Sequence, residues 1–170
     1  GQGWLSQYYN YNNFEEGSNY DPDFTRLDSS VSEDWKLGKP SNALGQTDFG
    51  VRWQGAFIPK ETKDYEFKIA SVDDYAKIQI DKNGTRQIVH EKELSNDKVG
   101  PQAIELEKNK VYLVDIIFKD KGGSAAVNID LPENSRYFFP DRDQQNFNID
   151  VPVPTISIEG GSVSESDGTA

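Results

Sequence analysis

Tyr65-Glu-Phe-Lys-Ile-Ala-Ser-Val-Asp-Asp-Tyr75, running on through Ala76-Lys-Ile-Gln-Ile-Asp-Lys-Asn-Gly84, decides the fold. Tyr65, Phe67 and Ile69 alternate with Glu66 and Lys68, the period-2 pattern of a half-buried strand. Ala76, Ile78 and Ile80 alternate with Lys77, Gln79 and Asp81, and Asp81-Lys-Asn-Gly84 then supplies a hairpin turn of the Asn-Gly type. Asp73 and Asp74 lie between the two strands. Neighbouring side chains of a regular strand point to opposite faces, so the two carboxylates serve one site only where the backbone bends between them. Bent in that way, they form a compact negative cradle suited to a cation. As a bare doublet they read more simply as the cap of a tight turn facing water.

The rest of the chain extends the β pattern. In Val111 to Phe118, Tyr112, Val114, Ile116 and Phe118 share one face while Leu113 and Ile117 make the other apolar too. A strand apolar on both faces is expected at the centre of a covered sheet. Ala125, Val127, Ile129 and Leu131 alternate with Asn128 and Asp130, and Phe49, Val51 and Trp53 form another alternating set. Many short strands at this spacing predict an all-β, antiparallel β-sandwich. The one helical signal is a short turn over Ser29 to Trp35, where Ser29 or Ser30 caps and Glu33 completes a capping box.

Composition narrows the function classes. The chain has 170 residues, with 29 acidic against 18 basic and a net charge of −11. Nucleic acid and anionic membranes are therefore disfavoured partners. Without Cys, thiol catalysis and disulfides are excluded, and His90 as the sole histidine rules out a His-based metal cluster. Oxygen-rich, sulfur-free chains suit calcium or magnesium. The absence of Met predicts a piece of a larger protein, and no apolar run approaches the roughly 20 residues of a membrane span. Asp81-Lys-Asn-Gly84 fails as a calcium loop of the EF-hand type, because its sixth position is Arg86 and its twelfth is Lys92. Asp21-Pro-Asp23 and Asp141-Arg-Asp143 read as solvated loops, and Asn83-Gly-Thr85 is a glycosylation sequon for a eukaryotic secretory path.

Several motifs, in order, carry a resemblance. Gly3-Trp-Leu-Ser-Gln-Tyr-Tyr9 with Asn12-Asn-Phe14, then Phe49-Gly-Val-Arg-Trp-Gln-Gly55 with Phe57-Ile-Pro59, resemble the opening motifs of the protective-antigen PA-14 lectin-like family. The segment Tyr65 to Asp74 with Ala76 to Asp81 and Gly84 resembles its central hairpin. Leu106 to Tyr112 and Ile116 to Ile129 resemble its closing strands. The likeness covers roughly residues 3 to 140. It implies a β-sandwich module of the kind found in flocculin-type adhesins, bacterial toxins, glycosidases and bacterial surface adhesins.

In the lectin members the adjacent aspartates are joined by a cis peptide and hold a calcium ion that coordinates sugar hydroxyls. The resemblance therefore implies calcium at Asp73 and Asp74. A cis bond brings consecutive Cα atoms to about 2.9 Å, against about 3.8 Å in trans. Calcium takes 6–8 oxygens, so a second loop must contribute. The resemblance assigns that role to Lys119-Asp-Lys-Gly-Gly-Ser-Ala125, with the Asp120 side chain and the carbonyls of Gly122 and Ser124 as ligands. Gly122 and Gly123 let the backbone turn its carbonyls inward. On residues alone the same loop is an ordinary Gly-containing hairpin. It lacks the large aromatic of some flocculins. Asp73, Asp74, Tyr75, Lys121 and Gly123 are the expected sugar contacts, with Glu93-Leu-Ser-Asn-Asp97 nearby.

The expected function is a calcium-dependent carbohydrate-binding module of a large bacterial surface adhesin, acting outside the cell on surface or biofilm glycans, and not an enzyme. An accessory domain of a secreted glycosidase and a ligand-free structural β-domain are the alternatives. Residues 1–150 are expected to form the module. Residues 151–170, opened by Val151-Pro-Val-Pro154, read as a linker and the start of a following adhesin repeat, or as a disordered tail.

Overall fold

A computed structural model describes residues 3–10, 21–42, 44–45, 47–132 and the backbone of 136–138. The Asn12-Asn-Phe14 motif, the Asp141/Asp143 pair and the proposed linker and repeat at 151–170 lie outside them. The described strands are, in order, Trp4–Tyr9 (β1), Phe24–Asp28 (β2), Glu33–Lys36 (β3), Gly50–Ile58 (β4), Lys63–Glu66 (β5), Lys68–Asp73 (β6) and Tyr75–Lys82 (β7). Thr85–Glu93 (β8), Asn96–Val99 (β9), Ala103–Leu106 (β10), Tyr112–Lys119 (β11), Ala125–Asp130 (β12) and Arg136–Phe138 (β13) complete the set.

The large sheet runs β2-β1-β4-β11-β7-β8-β9, with β13 also paired to β4, and a three-stranded sheet β3-β12-β6 faces it. A ribbon of β10 and β5 extends the second layer. The pairings are antiparallel. As its two apolar faces require, β11 is central, between β4 and β7. The turn between β7 and β8 is Asn83-Gly84, at φ 54° and 77°, the left-handed pair that a two-residue hairpin demands.

The core lies between the layers. Tyr8, Val51, Trp53, Ile78, Ile80, Val114, Ile116 and Phe118 from the large sheet meet Phe67, Ile69, Val72, Val127 and Ile129. Phe67 stands edge-on to Phe57 at 5.1 Å between centroids. The alternation of β6 is broken once. A register shift where β6 pairs with β12 leaves Ile69 opposite Ile129 but Ser71 opposite Asn128. Ala70 is the extra residue of a bulge, so Ile69 and Val72, three apart, both face the core.

The expected helical turn at Ser29 to Trp35 is absent. Glu33–Lys36 is instead strand β3, paired with β12, and Ser30 Oγ accepts from the amide of Ser32 at 3.0 Å without capping a helix. Tertiary packing overrides the local signal. As a strand residue, Trp35 packs edge-on against Phe49 at 5.3 Å and against Phe118 at 5.4 Å.

Two features of β1 and its neighbours set measurable stability. Trp4 lies flat on Gly55, where an added Cβ would sit 2.8 Å from the ring. Gly55→Ala is expected to lower unfolding free energy by about 1–3 kcal/mol, read from urea midpoints. Asp28, on β2, accepts from Tyr8 Oη at 2.6 Å, Arg26 Nε at 2.7 Å and Trp53 Nε1 at 3.0 Å. Burial pushes its carboxyl up, but these donors, led by Tyr8, outweigh burial and hold it below the ordinary carboxylate range. A folded value below the unfolded one stabilises the fold above about pH 4, and that contribution is lost as pH falls through the folded value. Asp28→Asn should therefore cost about 1–3 kcal/mol at pH 7. The gap to the parent chain should narrow as urea titrations move below about pH 4.

Candidate metal and ligand site

The chain crosses between the two layers twice at one place. At Asp73-Asp74 it leaves β6 of the small sheet and enters β7 of the large one. At residues 120–124 it leaves β11 of the large sheet and enters β12 of the small one. Because β11 pairs with β7 through Lys119 and Tyr75, and β12 with β6 through Ala126 and Asp73, the two crossings face each other. Residues 47 apart in sequence are thereby joined: the amide of Lys121 donates to Asp74 Oδ2 at 2.6 Å. The Asp73–Asp74 peptide is cis, as the resemblance implies.

Asp120 is fully buried. Its Oδ2 accepts from the amide of Asp48 at 3.1 Å and its Oδ1 from the amide of Gly122 at 3.2 Å. Its own amide donates to the carbonyl of Phe49 at 2.9 Å. The start of β4 thus fixes the loop. Asp48 in this role was not visible in the sequence, because amide donors leave no residue-type signal. Gly122 and Gly123 take φ 124° and 74°, and neither has atoms near the place of a Cβ. They are needed for conformation, not for space.

The electrostatics are unfavourable as they stand. Burial pushes Asp120 up to about 6, and the Asp74 carboxylate against it adds to the rise while the Gly122 and Asp48 amides oppose it. Burial also raises Asp73, again with the Asp74 carboxylate contributing. The arrangement is thus two touching pairs, Asp73–Asp74 and Asp74–Asp120, with Asp74 shared. Among the described residues, no three His, Cys, Asp or Glu side chains close to the spacing of a metal cage. The ammonium of neighbouring Lys121 is paired with Glu93.

The other expected contacts lie around this pair of crossings. Ser124 and Gly123 are exposed on the loop. Tyr75 packs with Tyr9 and Ile117 on the outer side of the large sheet and donates its hydroxyl to Glu91 at 2.6 Å. The amide of Leu94, in the turn between β8 and β9, donates to the carbonyl of Asp74 at 2.8 Å. Within Glu93 to Asp97, that is the hydrogen bond that reaches the acid pair's backbone.

The donor set fits a hard divalent cation. Its side chains are carboxylates, its loop can present carbonyls, and burial beside the Asp74 carboxylate raises the affinity for a proton that a cation would replace. Asp120 sets the direction of the pH dependence. Its folded value of about 6 lies above the ordinary value of about 4, so the native state holds the extra proton and stability falls as pH rises between them. In chelator, Asp120→Asn loses one of the two amide bonds that the carboxylate accepts, a cost that does not vary with pH, so its stability relative to the parent should rise as pH goes from about 4 to about 7 in parallel melting scans.

Comparison with known proteins agrees with this architecture. The sequence matches the PA14 domain family over residues 2–134. It is 30% identical over 81 residues, 48% of the chain, to the anti-sigma-I factor RsgI3 of Acetivibrio thermocellus, of which that stretch is 12%. An anti-sigma factor domain-containing protein from Clostridium clariflavum superposes with a TM-score of 0.67 at 17% identity, over 87% of this chain and 50% of that one. A PA14 sugar-binding domain from an RTX adhesin superposes with a TM-score of 0.58 at 20% identity, over 77% of this chain and 89% of that one. This chain thus spans half or less of the anti-sigma proteins it matches. With the family match over most of the chain and a two-layer β fold of the same kind, the chain belongs to the PA14 domain family.

Proposed function

We propose that this chain is a calcium-dependent carbohydrate-binding module. The observation that carries the reading is that two adjacent crossings set Asp74 against both Asp73 and Asp120, where burial, with the Asp74 charge adding to it, raises those two carboxyls. Asp73, Asp74 and Asp120 would hold the ion, with the carbonyls of Gly122 and Ser124 beside them. Calcium bound there supplies open coordination positions that vicinal sugar hydroxyls can take in place of water. The chain's own part is to hold the carboxylates in place. Asp48 and Gly122 orient Asp120, and Lys121 orients Asp74. The likeness to a sugar-binding domain of an RTX adhesin supports the ligand class.

The reading is of a binder and not of a catalyst. Glycoside hydrolysis needs two carboxyls about 5 Å or more apart across a cleft, whereas the acids of this site touch. The net charge of −11 disfavours strongly anionic polymers as ligands. In this reading the module works outside the cell, on surface or matrix glycans. An adhesin would raise the modest affinity of oxygen-for-oxygen exchange by presenting many copies. The likeness to anti-sigma factors supports a second setting for the same module, as the ligand-reading part of a regulatory protein.

Asp73→Ala and Asp74→Ala should each abolish calcium-dependent binding on a glycan array while circular dichroism reports a folded β-domain. Calcium at about 100 times its dissociation constant should stabilise the parent chain by about 2.7 kcal/mol and leave both variants unmoved. Glycan binding that survives chelator would overturn the proposal.

A further inference from the structure

The turn between β8 and β9 contains a residue that the fold alone does not favour. Leu94 is the first central residue of a two-residue hairpin closed by Glu93 and Asn96, and its φ is 53°. Branched side chains rarely take this left-handed conformation. The equivalent turn at Asn83-Gly84 uses the residues such turns prefer. Leu94 is also 51% exposed. An exposed leucine in a glycine-like conformation gains little from the core, while its amide is held to the carbonyl of Asp74. Backbone departures of this kind gather at ligand clamps.

The side chain has a second, independent context. Leu94 and Ser95 form one wall of a groove of ≈ 530 Å³, and Ser71, Val72 and Asp73 form the other. The bulge at Ala70 turns Ser71 outward and Val72 inward, and Asp73 places one end of the groove at the acid pair. Lys92, which also lines the groove, is paired with Asp97 at 3.4 Å. Beyond Ser71 the surface continues into a second groove of ≈ 390 Å³ that includes Glu33 and Asp34. The lining therefore offers hydroxyls, a leucine methyl surface and neighbouring negative charge, but no unpaired Lys or Arg among the residues of either groove.

We propose that Leu94 is a specificity-determining residue. It packs against the C–H face of a neutral pyranose unit lying in this groove, next to the unit whose hydroxyls occupy the ion. This rests on the calcium-lectin reading and adds the ligand's class: a neutral oligosaccharide of at least two units. Pyranoses present an apolar face and an equatorial rim of hydroxyls, which matches Leu94 for the face and the hydroxyls of Ser71 and Ser95 for the rim. An anionic sugar would meet Asp73, Glu33 and Asp34.

The test uses the full chain with Leu94→Gly, Leu94→Asn and Leu94→Met, on an array of neutral and anionic oligosaccharides in calcium. Calorimetric calcium titrations and melting curves accompany it. Leu94→Gly and Leu94→Asn suit the turn, so melting temperatures should hold or rise and calcium affinity should stay unchanged. Their affinity for the neutral glycans bound by the parent should fall about tenfold, and Leu94→Met should keep it. Equal glycan affinity in all variants overturns the proposal and leaves the calcium-lectin reading standing. So does a loss of calcium affinity in the Gly and Asn variants, which would make Leu94 a support of the acid pair. Binding confined to anionic glycans also overturns it. If the parent binds no glycan in calcium, both readings fall.

Discussion

The burial of Asp73 and Asp120 against the shared carboxylate of Asp74 is the constraint on which the site depends. Burial raises the proton affinity of Asp73 and of Asp120, and the Asp74 carboxylate standing against each of them adds to the rise. Such crowding opposes folding unless something offsets it. The backbone offers only partial relief, through the amides of Asp48, Lys121 and Gly122. The nearest lysine on the loop is engaged by Glu93. In type, these oxygen donors are those that a hard cation prefers.

The β-sandwich accounts for why the acids meet. A chain that passes from one layer to the other must leave regular pairing, and two such passages, from β6 to β7 and from β11 to β12, lie at the same end of the same strands. The register of β11 on β7 and of β12 on β6 places those departures side by side. The site is therefore a product of topology: the strands below it are closely packed, and the loops above carry the chemistry. Asp120 joins the two through its bond to Asp48 at the start of β4, the strand that packs directly against β11.

Much of this was legible in the residues. Alternation located the strands around Tyr65, Ala76 and Ala125, and the two apolar faces of Val111 to Phe118 placed β11 at the centre. Asn83-Gly84 announced its hairpin. Other parts were not legible. The capping signal at Ser29 to Trp35 is local, whereas Trp35 answers to Phe49 and Phe118, which lie elsewhere in the chain. The bulge at Ala70 has no residue-type signature, because alanine fits a strand as well as a bulge. Asp120 stood out only through family resemblance, since the contact between its loop and Asp74 spans 47 positions. Leu94 looked like one residue of a polar stretch, and its left-handed backbone could not be read from its identity.

The central claim is that the acid cluster is a cation site. A high-resolution crystal structure of the chain grown with calcium, with anomalous scattering recorded, tests it most directly. The expected result is one calcium ion with oxygens of Asp73, Asp74 and Asp120 at about 2.3–2.6 Å. An anomalous map without a peak there, with water alone between the carboxylates, would contradict the account.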